Sequence, residues 1–387
     1  MTAPTDPPAT RPPEAVVTYC GNVHPGESLA EWLEGHVRAA AGVARASATA
    51  GPFPLGVWWP APVARELAAG GEALACARAA LGAHRLAVAT ANAFPYGGFH
   101  DAVVKTAVYR PDWADPRRAT FTLDVARAAC ALAAPGAVVP ISTLPLGFGG
   151  GDQAAMRRSL AEVAARLAAL EAETGVCCVL ALEPEPDCLV ETAAQALTLI
   201  QDVRRTHGET AAVVRHLGVC LDLCHLAVVG EDALAALAAL RAAGVPVPKV
   251  QVSSCLEARG PSGLERLLGW AEPRYLHQTS AVFADGGRAR VLDLDEVRAR
   301  KAEFARAERV RTHFHVPVFW DEDGELGSTR REVERFLAGL TPPWPLLEIE
   351  TYTWGVLPGL SGREEDLIAG LAREIAFVRQ HLARAGA

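Results

Sequence analysis

The stretch "MRRSLAEVAARLAALEAE" (156–173) runs straight into "VCCVLALE" (176–183). The first carries apolar residues at helical spacing, and the second is a short apolar run that ends on a carboxylate. The same kind of run recurs as "VVTYC" (16–20), "LGVWW" (55–59), "RLAVATA" (85–91), "AVVPIS" (137–142), "GVCLDL" (218–223) and "KVQVSS" (249–254). Later come "YLHQTS" (275–280), "RTHFHVPVF" (311–319) and "LLEIETY" (346–352), with Ala-rich helical patterns between most runs. Strand alternating with helix implies parallel strands joined by crossover helices. More than seven such units favour a closed (β/α)8 TIM barrel over an open doubly wound sheet. No G-x-G-x-x-G follows the first strand, against a dinucleotide fold, and "GFGGGD" (147–152) reads as a loop.

There are more runs than the eight a barrel needs. The surplus falls between Ser254 and Arg311, where "LHQTSAVFADGGRARVLDL" resembles a hairpin. The expected organisation is a disordered tail at 1–14 and one TIM-barrel domain at 15–387. Residues 255–310 form an inserted helix and hairpin region near strands 7 and 8. Either 249–254 or 311–319 is barrel strand 7.

Net charge −8 gives no bulk attraction to phosphate backbones, which disfavours nucleic acid. No apolar run is long enough to cross a bilayer, and "MTAPTDPPATRPPEA" has no apolar core for a signal peptide. Nine cysteines, with Cys177 and Cys178 adjacent in an apolar run, read as buried free thiols in a reducing cytoplasm. The chain keeps only three lysines (Lys105, Lys249, Lys301) and two asparagines, Asn22 and Asn92. Residues retained against such a bias mark positions where residue type matters.

In a (β/α)8 barrel the chemistry sits at the carboxyl ends of the strands. The polar residues gather there: Asn22, His24 and Glu27 after strand 1, and Asn92, Tyr96 and His100 after strand 3. Glu183 ends strand 5, Asp222 and His225 end strand 6, and Glu348 and Glu350 lie on the last strand. Gln251, His277, His313 and His315 fall between. His313 and His315 stand two apart in a strand-like run, so both point to one side, where partners or a metal must satisfy them. If 311–319 is a barrel strand, Phe314 and Val316 face the surrounding helices and His315, nearer the mouth, is the ligand. Cys220 and Cys224 lack a second Cys pair for structural zinc and read as core thiols. Carboxylates with imidazoles between them suit Mn, Zn, Co or Mg without separating these ions. Such a metal polarises a hydroxyl or carbonyl oxygen, and a neighbouring carboxylate takes a proton from the adjacent carbon.

Glu183, the D-x-x-H of Asp222 and His225, and Glu350 resemble the xylose-isomerase-like TIM barrels. That group includes sugar isomerases, ketose 3-epimerases and metal phosphodiesterases of the endonuclease IV type. More narrowly, "TYCGNVHPGES", "FPYGGFHDAVVKTAVYRPDW", "FHVPVF" and "EIETYTWGVLP" resemble EboE-type metabolite-traffic proteins over nearly the whole chain after residue 15. The resemblance implies Glu183, Asp222 and Glu350 as metal ligands, with His225 a ligand or its support, and Glu183 and Glu350 as the catalytic pair. The wider family places a ligating His on strand 7, where this chain has Gln251. Either His315 replaces that His, or Gln251 is a weak ligand and His313 with His315 holds a second metal. Asn22, His24, Asn92, His100, Lys105, Tyr109, Gln251 and His277 are the expected substrate contacts.

The expected function is a metal-dependent isomerase or epimerase of a sugar or cyclitol in a metabolite-traffic pathway. Its partner would be a small polyol or sugar-like metabolite, and a homo-oligomer is compatible with the sequence. The alternatives are a metal-dependent phosphoesterase and a non-catalytic metabolite-binding barrel.

Overall fold

The computed structural model describes residues 15–49, 51–321, 324–357 and 363–385, so the expected tail at 1–14 lies outside the described residues. The chain lays down β1 (Val17–Tyr19), β2 (Phe53–Trp58), β3 (Leu86–Asn92), β4 (Val138–Thr143), β5 (Cys177–Leu182), β6 (Leu217–Asp222) and β7 (Lys249–Val252). It then leaves for β8 (Ser254–Ala258), β9 (Thr279–Val282), β10 (Arg288–Val291), β11 (Arg309–Val316) and β12 (Leu326–Ser328), and returns as β13 (Leu346–Ile349). β1 to β7 and β13 form one sheet of eight strands in the order β1-β13-β7-β6-β5-β4-β3-β2, with every ladder parallel. This is a nearly closed (β/α)8 barrel. The strands are buried on both faces, which is why their sequences read as apolar runs rather than as alternation.

The crossover helices begin where the sequence supplies caps. Asp115, Asp152 and Thr192 each accept a backbone N–H in the first turn of helices Pro116–Leu132, Gln153–Thr174 and Ala193–His207. Gly175, at φ +73°, ends the second of these in the left-handed conformation and turns the chain into β5.

The seam between β1 and β2 carries no ladder. Instead Thr18 Oγ1 donates to Pro54 O at 2.6 Å. Gly56 lets the two strands approach, because a Cβ there would collide with Tyr19 O and with Glu348 Oε1. Glu348 points into the barrel interior, where its Oε2 accepts from Lys249 Nζ at 2.7 Å, and both side chains are fully buried. Lys249 also donates to Ser142 Oγ at 2.9 Å. This ion pair plugs the barrel beneath its mouth.

The insertion is larger than the expected 255–310. It is an antiparallel sheet of order β10-β9-β11-β8-β12 with its own core, including Leu256, Leu267, Val297, Phe304 and Phe314. Strand 7 of the barrel is β7, which pairs with both β6 and β13. The run 311–319 therefore is not a barrel strand; β11 pairs with β8 and β9 inside the insertion. Phe314 and Val316 pack into the insertion core rather than against barrel helices. A strand roofing a barrel mouth is as buried as one in the wall, so composition alone does not separate the two.

Replacing Gly56 by Ala pushes a methyl into backbone and a buried carboxylate that cannot retreat. Urea unfolding of Gly56→Ala should show a loss of about 2–3 kcal/mol, at the upper end for overpacking; a change within about 0.5 kcal/mol would mean the seam is looser than described.

Candidate metal centre at the barrel mouth

Glu183 follows β5 directly, Asp222 is the last residue of β6, and Glu350 follows β13, so three strand ends deliver three carboxylates. One carboxylate oxygen from each lies within 4.8 Å of the others, and all three residues are buried. Asn22 and Asn92 both donate to Glu350 Oε1, at 2.7 and 3.1 Å. Asp222 Oδ1 caps helix Leu223–Val229 by accepting from His225 N at 2.8 Å, and it also accepts from Ser253 Oγ at 2.8 Å. One oxygen of Asp222 is thus spent on the helix cap, and the other is free for a ligand. Asp222 Oδ2 and Glu183 Oε2 have no hydrogen-bond partner. Buried carboxylate oxygens are rarely left so, because the desolvation cost is uncompensated.

Three imidazoles complete the mouth. His225 Nδ1 faces Pro184 O at 2.9 Å, His315 Nδ1 faces Glu350 O at 2.6 Å, and His313 Nδ1 faces Gln278 Oε1 at 2.8 Å. Each of these oxygens only accepts, so each Nδ1 carries the proton and each Nε2 presents a lone pair. Those lone pairs converge: His313 Nε2 is 3.1 Å from His225 Nε2 and 3.2 Å from His315 Nε2. Metal-ligating histidines are oriented in this way, with the other ring nitrogen donating to a fixed oxygen. His315 and His225 also share a donor group with Asp222, and His225 and His313 share one with Glu185, each spanning no more than 4.8 Å. A shift of register between Thr312 and His315 in the β11–β8 pairing bulges the strand here and aims its histidines at the barrel.

Burial holds the His313 imidazole well below its ordinary value, helped by His225 and His315, and lowers His315 to about 4. Both rings are neutral at neutral pH. Burial, then the charges of Glu350 and Asp222, pushes the Glu183 carboxyl well up; burial, then Asp222 and Glu348, does the same to Glu350. Both shifts favour the protonated acids over the bare charges, and a divalent cation placed among them would act in the opposite sense. The residues present fit such an ion.

Among the expected substrate contacts, Asn22, Asn92, Lys105 and Tyr109 line the mouth cavity, which has about 530 Å³ of empty space, part of it open to solvent. Lys105 Nζ is tied to Asp293 at 2.6 Å, and Tyr109 Oη donates to Glu185 Oε1 at 2.6 Å. Three histidines stand away from the cavity. His24 bonds Tyr19 Oη at 3.0 Å and stacks on His36. His100 bonds Asn22 O at 2.8 Å, and His277 bridges His313 O and Glu272. Gln251 is fully buried beside Asp222 and Glu348 in the ladder, with neither amide atom partnered. Sequence reading missed Glu185, Gln278, Tyr275 and Tyr352. Glu185 stood in plain view in "EPEP", and Tyr352 stands two residues beyond Glu350.

Residues 61–299 match the family described as "Xylose isomerase-like TIM barrel", well over half of the 387 residues. The chain belongs to that family. No curated protein sequence matches it. Among solved structures it is similar to a xylose isomerase domain protein from Alicyclobacillus acidocaldarius subsp. acidocaldarius, at 15% identity and TM-score 0.49, covering 96% of this chain and 99% of that one. It is similar to L-ribulose 3-epimerase at 14% identity and TM-score 0.48, covering 96% and 95%. A xylose isomerase-like TIM-barrel protein from Mycobacterium smegmatis, solved in complex with magnesium, aligns at 13% identity and TM-score 0.47, covering 96% and 98%.

The neutral His315 gives a pH signature. In chelator the unfolded chain protonates this ring below about 6.5 while the folded one resists to about 4. Its contribution is therefore present above 6.5 and lost as pH falls toward 4, by roughly 3 kcal/mol at most. Glu183 and Glu350, with raised values, act oppositely and lose their contribution as pH rises. Denaturant unfolding of His315→Gln should therefore show a shallower loss of stability than wild type between pH 6.5 and 4; parallel curves would contradict a buried neutral His315.

Proposed function

We propose that the chain is a metal-dependent isomerase or epimerase of a sugar or cyclitol, moving a proton at a carbon beside a hydroxyl or carbonyl group. The observation that carries this reading is the convergence of the Glu183, Asp222 and Glu350 carboxylates within 4.8 Å, two of their oxygens unpartnered. These three residues and His315 would hold the cation, His315 standing in for the strand-7 histidine that this chain replaces with Gln251. When bound, the ion supplies Lewis acidity toward the substrate's oxygens.

The protein's own groups handle the proton. Asn22 and Asn92 fix Glu350 by its Oε1. Glu183 and Glu350, their carboxyls raised by burial and by the neighbouring carboxylates, are the groups placed to exchange a proton with the substrate. Tyr109 and Gln278 hold Glu185 at the cavity wall, and Gln278 also fixes the tautomer of His313. The resemblance to EboE-type proteins supports a place in a metabolite-traffic pathway, acting on a small polyol. The nine free cysteines, eight of them buried, favour the cytoplasm.

A phosphoesterase is the second reading, favoured by one observation. Glu185, His225 and His313 form a further donor group beside the first, enough for a second cation.

The decisive experiment incubates manganese-loaded protein in D2O with a panel of ketoses and inososes, with NMR detection of deuterium at the carbon next to the carbonyl. Exchange should occur and should fall at least about 100-fold in Glu183→Gln and in Glu350→Gln. Absence of exchange across the panel, together with hydrolysis of bis(p-nitrophenyl) phosphate and two metals per chain, would transfer the assignment to the phosphoesterase.

A further inference from the structure

The mouth cavity has two unlike halves. Its polar half comes from strand ends and β11: Asn22, Asn92, Glu183, Glu350 and the histidines. Its apolar half comes from elsewhere, with Phe94, Phe99, Val104 and Val108 following β3, and Tyr275 and Leu276 in the insertion. These two segments are joined by backbone, since Val104 N and Lys105 N both donate to Arg274 O, at 2.7 and 2.9 Å. Phe99, Tyr275 and Tyr352 pack mutually, with centroids 4.8–5.4 Å apart, so these three rings form one continuous surface. Against an apolar face of this extent a free polyol can set only its C–H faces, because hydroxyls placed there lose water without gaining partners.

Charge narrows the ligand further. Lys105 is the one ammonium or guanidinium among the described residues lining the cavity, and Asp293 already pairs with it at 2.6 Å. Away from the proposed cation, a phosphate or carboxylate on the substrate would find no unpaired ammonium or guanidinium among the described residues lining the cavity.

We propose that this site takes an uncharged hydroxylated ring bearing an apolar substituent, alkyl or aryl, with the hydroxyls at the strand ends and the substituent on the Phe94–Phe99–Leu276 wall. The inference rests on the reading of the mouth as a polyol site and adds the class of polyol.

Calorimetric titration of manganese-loaded protein with paired methyl and phenyl β-glucosides, β-galactosides and β-xylosides tests it, with glucose 6-phosphate as the anionic probe. In at least one pair the phenyl compound should bind at least tenfold tighter than its methyl partner, and glucose 6-phosphate should bind more weakly than that phenyl compound. Phe99→Ala and Leu276→Ser, each checked for an unchanged melting transition, should bring the phenyl-to-methyl ratio toward one. Equal affinities within every pair, no binding of any phenyl glycoside, or tightest binding of the phosphate would each overturn the proposal. Failure of the reaction reading shows separately: deuterium exchange would be absent while the phenyl preference persisted.

Discussion

Like-charge repulsion in a dry space is the constraint around which the barrel mouth is built. Glu183, Asp222, Glu348 and Glu350 are all buried at one end of the barrel, and Lys249 is the buried ammonium beneath them. Burial works against the charge of Lys249, but Glu348 and its neighbours hold its proton above the ordinary value. That single cation is engaged by Glu348. The upper carboxylates are left to amides, a serine hydroxyl and a helix cap, none of which is a full counter-charge. Removing one partner from such a set leaves a buried charge exposed to its neighbours, which is costly. On the proposed reading a divalent ion would resolve the conflict, with the neutral imidazoles as its complement.

The barrel wall supplies the carboxylates and the insertion supplies two of the three imidazoles. β11 crosses over the mouth, and its bulge turns His313 and His315 toward the strand ends while Phe314 anchors the strand in the insertion's core. Two hydrophobic cores are thereby coupled through one polar centre. Thr353 Oγ1 donates to His315 O, and Glu374 gathers Val318 N, Thr351 Oγ1 and Trp354 Nε1, so the exits of β11 and β13 are tied together. The site's geometry therefore depends on contacts remote from it in sequence.

Much of this was legible in the amino-acid sequence. Strands buried on both faces announce themselves as apolar runs, and a carboxylate that ends such a run has few structural uses, so Glu183, Asp222 and Glu350 could be picked out singly. The spacing of His313 and His315 was also readable, because two residues apart on any strand means one side. What could not be read was which sheet that strand joins, since pairing partners are set by long-range contacts that leave no local trace. Nor did Glu185 stand out. A proline on each side makes "EPEP" look like a turn, and its role emerges only when Tyr109 and Gln278 arrive from distant segments. His24, His100 and His277 show the converse: a histidine at a strand end can be spent on a phenol or a carbonyl.

The most direct test of the account is an anomalous-difference map from crystals grown with Mn²⁺ or Zn²⁺ and collected at the metal's absorption edge. The account predicts a strong peak bounded by Glu183, Asp222, Glu350 and His315, with the unpartnered oxygens of Glu183 and Asp222 among its ligands. A map without a peak in the barrel mouth at millimolar metal, the carboxyl groups instead paired to one another through protons, would contradict it.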